Sequence, residues 1–394
     1  MSTAVLTRNI RDYLTIANEV SEHLAVDAVE QDAKAGIPFE EIDALKQSGL
    51  LRFSIPREYG GIGAIWPQIY EVVRILSNAQ GSVGQLYANH AILLSMLEML
   101  GRPGQAEQYY HLTAQQNLFW ANALNSRDTR LSIQAKPGGF VLNGTKSFCT
   151  GMAAADISIV SCLQDGSNAS VLCILSLKQD GIIYNHDWNN MGQRRTVSGS
   201  CTFQDVWVEP EDLLGPSVLN GAFVTLKSLL SLLGQTFVYL GIAEGALEAA
   251  RGYTLHRTRP WPMSDQDSAT QEPFILHRYG EMWAELQAAF ALAKQVAAAI
   301  QTGWEKGTAL TSDERGDIAI SMAAARAIAI QTGLKITTHI FDVMGARATT
   351  NSCGFDRYWR DLRTFSLHDP IDYKFKDIGN WVLNQQYPTP SQYT

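Results

Sequence analysis

Leu131-Ser-Ile-Gln-Ala-Lys-Pro-Gly-Gly-Phe-Val-Leu142 is the stretch whose reading decides the fold. Leu131, Ile133 and Ala135 alternate with polar residues, the period of a strand with one buried face. Pro137-Gly-Gly139 then supplies a turn, because proline pre-sets φ and glycine accepts the positive φ that follows. The chain returns as Phe140-Val-Leu142. Downstream, Ile157-Ser-Ile159, Val171 to Leu177 and Cys201 to Val208 read as further strands, with Asp165-Gly166 as another turn. No long helical pattern separates them. That favours an antiparallel barrel or sandwich over a βαβ sheet.

Outward from this middle region the period changes. Toward the N-terminus, Leu14, Ala17, Val20 and Leu24 recur at helical spacing. Pro38 with Glu40 and Glu41 forms a first helical turn. Ser54 to Gly61 breaks the pattern, and Ile69 to Leu100 resumes it until Gly101 and Pro103. Toward the C-terminus, long apolar stretches run from Phe223 to Ala250, Pro273 to Gly303 and Thr311 to Gly345, with a shorter one from Pro370 to Asn384. Thr311 and Glu314 have capping-box spacing. The expected class is α+β: an all-α region 1–115, a β-domain 116–216 and a helical bundle 217–394.

The chain has 394 residues, 46% hydrophobic and 18% charged, with a formal charge of −8. It has no basic run, so a nucleic-acid surface is not expected. Five dispersed cysteines without a CxxC pair read as packed thiols of a cytoplasmic protein. Met1 to Arg11 lacks a signal-peptide core, and no membrane span is expected. There is no GxGxxG after a strand and no GxSxG. Gly144-Thr-Lys-Ser147 has the wrong spacing for a P-loop, and reads as a turn into a strand. His186-Asp187 and His368-Asp369 lack a third ligand at metal-site spacing, so no metal is expected.

Several segments, in order, resemble the acyl-CoA dehydrogenase superfamily over nearly the whole chain. They are Ile55 to Gly63, Leu142 to Asp156, Met191 to Gly215, Tyr239 to Ala246 and, most specific, Gly354 to Pro370. The fold so implied is a helical N-terminal domain, a middle β-domain and a C-terminal four-helix bundle. Departures from the dehydrogenase pattern point to the flavin-dependent monooxygenase branch, which includes dibenzothiophene monooxygenase and the sulfur-acquisition oxidoreductases. Where the dehydrogenases carry a glutamate base, this chain has His368-Asp369-Pro370, with an acid one methylene shorter. Arg257 matches an arginine that reaches the flavin diphosphate, but Pro260-Trp261 follows it. The motif lining the adenosine half appears as Asp342-Val-Met-Gly-Ala346, and an acid there would repel a diphosphate.

The resemblance therefore implies reduced FMN from a separate flavin reductase, with FAD as the alternative cofactor. It implies O2 activation through a C4a-hydroperoxyflavin, and a small organic substrate, organosulfur or aromatic. It also implies a homotetramer. The alternative activity is an FAD-dependent acyl-CoA dehydrogenase with an atypical base. By position in the motifs, His90 and His368 are the expected active-site histidines, with imidazoles suited to holding or delivering a proton. Asn122 and Thr150 are expected at the flavin, Phe148 and Trp188 over its rings, and Ser198 and Arg257 at its phosphate end. His277 stands where a relative has an arginine. Plainer readings stand beside these: Asn122 as a turn cap, Thr150 as a strand residue, Trp188 as packing, Asp369 as a first-turn acid.

Overall fold

The computed structural model describes residues 10–167, 169–215 and 221–394, with the side chains of Ile10 and Arg11 left aside. The expected start Met1 to Asn9 and the boundary at 216–217 lie outside the described residues. Six helices come first: α1 (Ile10–Ala25), α2 (Ala28–Lys34), α3 (Phe39–Ser48), α4 (Trp66–Ala79), α5 (Gly81–Leu100) and α6 (Gln105–Gln116). Seven strands follow: β1 (Trp120–Ala123), β2 (Leu131–Lys136), β3 (Gly139–Lys146), β4 (Ile157–Gln164), β5 (Ser170–Ser176), β6 (Ile182–Tyr184) and β7 (Cys201–Val208). The chain then turns helical again, in α7 (Ala222–Arg257), α8 (Pro273–Lys306), α9 (Ser312–Met344), α10 (Asp356–Phe365) and α11 (Ile371–Asn384).

The deciding stretch forms the β2–β3 hairpin, in which Lys136 faces Gly139 across a Pro137-Gly138 loop. Gly138 takes φ +89°, a conformation an L side chain adopts only with strain. The sheet order is β1-β4-β2-β3-β7-β6, with β5 also on β4. Pairing is antiparallel in β2–β3, β3–β7, β4–β5 and β6–β7, but parallel in β1–β4 and β2–β4. The expectation of an antiparallel sheet is corrected to a mixed one. β1 and β2 succeed each other along one edge of β4, at Ile157 to Val160 and then at Leu163 and Gln164. The β-domain core is Leu131, Ile133, Leu142, Val160, Leu175, Phe203 and Val206, the inward half of each alternation.

The two helical regions share one core. Residues of α1, α3, α4 and α5 and residues of α7, α8, α9 and α10 belong to a single buried cluster. α7, 36 residues long and apolar enough to cross a membrane, is packed inside that cluster along most of its length. The capping box at Thr311 and Glu314 forms as its spacing predicts, each side chain satisfying the other's backbone N–H. α2, α6 and α10 are helices that the sequence reading does not single out. α10 begins two residues after Gly354, within the stretch that carries the family resemblance.

Candidate active site

β1 brings Asn122 next to the loop that follows β3. The Asn122 N–H reaches Thr150 O at 3.4 Å. Among the described residues the Asn122 side-chain amide has no hydrogen-bond partner, so it remains available to a ligand. Phe148, just ahead of Thr150, is a non-glycine residue at φ +57° and its ring is 57% exposed. The ring stands edge-on to Trp188, centroids 6.4 Å apart. Trp188 is tethered through its indole N–H to Gln193 O at 2.9 Å. These four residues, expected at the flavin, are thus close neighbours on β1 and two loops.

The loop from Met191 to Gly199 is strained and heavily anchored. Gln193 takes φ +52° and Val197 φ +39°, the latter a β-branched residue in a region such residues avoid. Gln193 N donates to the buried carboxylate of Asp361 on α10 at 2.5 Å. Arg195 makes a two-pronged ion pair with Glu41 of α3, both bonds 2.7 Å and both side chains buried. Arg194 donates to Asp32 O, and Arg360 donates to Met191 O while pairing with Asp32. All three regions of the chain therefore hold this loop. Burial, with Asp32 nearby, pushes the Asp361 carboxyl up to about 7.

Ser198 was expected at the phosphate end. In the structure its Oγ donates to Thr150 Oγ1 at 2.9 Å, which places the two side chains together. Thr196 Oγ1 lies 2.8 Å from both Ser198 Oγ and Gln193 O.

His90, on α5, is buried beside Phe119, rings stacked with centroids 5.7 Å apart. Its Nε2 bonds Leu51 O at 2.8 Å and its Nδ1 accepts from Trp120 N–H at 3.2 Å. The second bond requires a bare Nδ1, so the first requires a protonated Nε2. Burial lowers its pKa to about 4. In this arrangement both ring nitrogens serve backbone groups, and the imidazole ties α5 to Leu51 and to β1.

His368 differs. It lies in the exposed link from α10 to α11, with Nδ1 3.1 Å from Asp369 Oδ1 and its ring edge-on to Tyr393 at 5.9 Å. Asp369 itself is buried and ion-paired to Arg326 through Oδ1 and to Lys374 through Oδ2, the latter at 3.0 Å. Burial opposes its charge, but the His368 bond and these two cations outweigh it, and its pKa falls well below the carboxylate range. A carboxylate so neutralised is a poor base. Asp369 is corrected from a catalytic acid to the residue that orients His368. With Nδ1–H aimed at Asp369, Nε2 presents a lone pair.

Arg257 and His277 are exposed and are not brought to this cluster. Ile242 of α7 packs at Gly81, and Arg257 lies fifteen residues on, about 22 Å further along the helix. Residues that sequence reasoning missed are Gln193, Asp361, Arg326, Lys374 and Tyr393. Arg326 did carry a signal. An arginine inside Met322-Ala-Ala-Ala-Arg-Ala-Ile-Ala329 must be buried, and a buried charge needs a partner.

A strained, aromatic-walled loop pair on a mixed sheet between two helical regions is the architecture of a flavoenzyme of the acyl-CoA dehydrogenase type. Family models confirm it: the acyl-CoA dehydrogenase N-terminal domain matches residues 9–116 and the C-terminal domain matches 233–373. The chain belongs to the acyl-CoA dehydrogenase superfamily and, within it, to the branch of FMNH2-dependent monooxygenases. It is 40% identical to a probable FMNH2-dependent monooxygenase, SfnC, of Pseudomonas putida, over 98% of each chain. It superposes on methanesulfinate monooxygenase MsuC of Pseudomonas fluorescens with a TM-score of 0.94, 40% identity and coverage of 97% and 99%. The complex of TdsC from Paenibacillus sp. A11-2 with FMN and indole superposes with a TM-score of 0.93, 36% identity and coverage of 97% and 100%.

Proposed function

We propose that the protein is a two-component monooxygenase that uses reduced FMN and O2 to oxygenate a small organosulfur or aromatic compound. Bound reduced FMN supplies the electrons that activate O2. The residues present suit that cofactor. The unpaired amide of Asn122 and the buried hydroxyl of Thr150 meet its polar edge, and Trp188 and Phe148 cover its rings and exclude water. His368, oriented by Asp369 through Nδ1, presents Nε2 as a proton acceptor near the reacting face.

The observation that carries this reading over an FAD-dependent acyl-CoA dehydrogenase is the state of Asp369. The residue at the position of the dehydrogenase base is a fully neutralised carboxylate, turned toward Arg326 and Lys374. Arg257, remote from Thr150 within one chain, reaches the phosphate from a neighbouring copy in a homotetramer. Support for assembly comes from the large exposed apolar side chains Phe274, Leu276 and Trp283 on α8 and Val382 and Leu383 on α11. A cytoplasmic location, with a separate reductase as the flavin source, completes the proposal.

The test is to mix the protein anaerobically with FMNH2 and then admit 18O2 with methanesulfinate, dibenzothiophene or indole. The expected result is flavin reoxidation slower than that of free FMNH2, and one 18O atom in an oxygenated product. Tightly bound FAD bleached by butyryl-CoA would overturn the proposal and establish the dehydrogenase.

A further inference from the structure

Thr150 is a buried hydroxyl with an unspent hydrogen. Its oxygen accepts from Ser198, and among the described residues its own O–H finds no acceptor. Behind it the hydroxyls form a file. Thr196 Oγ1 is 2.8 Å from both Gln193 O and Ser198 Oγ, and Ser198 Oγ is 2.9 Å from Thr150. Thr196 and Ser198 are both buried, so water does not compete for these bonds. Backbone ties keep the two loops in register: Gly151 N donates to Thr196 O at 2.9 Å and Cys149 N to Gly199 O at 2.9 Å. With the Ser198 hydrogen spent on Thr150, the Thr196–Ser198 bond takes the Thr196 hydrogen, so the file starts at Thr196; Gln193 O beside it receives the Trp188 indole, and Gln193 N–H is held by Asp361.

We infer that Ser198, backed by Thr196, is a positioning residue that fixes Thr150 as a hydrogen-bond donor toward the N5 and O4 edge of oxidised FMN. Both atoms of that edge are acceptors, and an oxygen already accepting from Ser198 makes Thr150 a stronger donor. The backbone strain at Gln193 and Val197 fits this role, because it holds a short segment in the one shape that lines up Thr196, Ser198 and Thr150. Ser198 does not touch the flavin. It acts through Thr150. The inference rests on the proposed flavin site and is separable from it.

The test uses the full-length protein and oxidised FMN, with affinity read by flavin fluorescence and the two-electron potential read by equilibration with a reference dye. Thr150→Ala, Ser198→Ala, Thr196→Val and the double variant Thr150→Ala/Ser198→Ala are compared, and thermal unfolding establishes that each is folded. Ser198→Ala is expected to weaken FMN about threefold to tenfold, the range for one net hydrogen bond. It should lower the potential in the same direction as Thr150→Ala. Thr196→Val should move both readings the same way by less, and it keeps the inference testable if Ser198→Ala does not fold. The double variant should be no worse than Thr150→Ala alone. An effect of Thr150→Ala without one of Ser198→Ala or Thr196→Val would overturn the inference and leave the flavin site standing. Additive losses in the double variant would also overturn it, since Ser198 would then act by a route of its own. No effect of any variant would remove Thr150 from the flavin, and both readings would fall.

Discussion

Asp369 shows how one side chain can sit at a catalytic position and yet serve the neighbours on either side of it. Arg326 is fully buried, its guanidinium 5.2 Å from the Tyr239 ring centroid, and among the described residues it has no other carboxylate partner. Lys374, equally buried, shares the same acid. Asp369→Asn removes the only negative charge between two buried cations, a change that typically costs about 3–5 kcal/mol. A drop of that order in urea unfolding free energy at pH 7 is expected; a loss under about 1 kcal/mol would mean the cations find other partners. The pH sign follows from the depressed pKa. The wild-type advantage is complete above the unfolded value near 4 and disappears as pH falls below it toward the lower folded value, so the two proteins converge in acid.

At the scale of elements, the loop from Met191 to Gly199 and helix α10 form one unit. A Cβ on Gly192 would lie 2.0 Å from Arg360 O and 2.6 Å from Asp361 N, both backbone atoms that cannot swing aside. Gly192→Ala therefore must lift the loop from α10 and break the Gln193–Asp361 bond. An overpacking cost of about 1–3 kcal/mol is expected, with FMN affinity down at least tenfold. Unchanged FMN affinity would show that the loop does not shape the pocket. This unit also marks where sequence reading stops. The helices α7, α8 and α9 were legible because their apolar period and the Thr311 cap are local. Asn122, Phe148, Thr150 and Trp188 were legible as a group through motif order. The Ser198–Thr150 bond was not legible, because the two residues are 48 apart and only the folded loop brings them together. The parallel pairing of the four-residue β1 with β4 was hidden for the same reason, since so short a strand carries no register of its own. α10 was missed although Tyr358, Leu362 and Phe365 recur at helical spacing, because ten residues give only three such positions among many charges.

For the whole molecule, the exposed apolar side chains are concentrated on the C-terminal helices. Phe274, Leu276 and Trp283 lie within the first three turns of α8, and Trp283 is 59% exposed. If these side chains lie in the seam of the homotetramer proposed above, Trp283→Asp shifts the protein toward smaller species in light-scattering mass measurements and weakens FMN in parallel, because the proposed reach of Arg257 into a neighbouring site is then lost. A variant that stays tetrameric would place the interface elsewhere.

The mooring of the Met191–Gly199 loop has a consequence for biosynthesis. Its partners are Asp32, Ala35 and Glu41 near the start of the chain and Arg360 and Asp361 near its end. A ribosome that has made the whole β-domain has made Phe148 and Trp188, yet the start of α10 at Asp356 lies 148 residues beyond the end of β7 at Val208. Until it emerges from the exit tunnel, Gln193 has no carboxylate to hold it and its strained backbone is free to relax. Cofactor loading is thus a late event, gated by completion of the polypeptide.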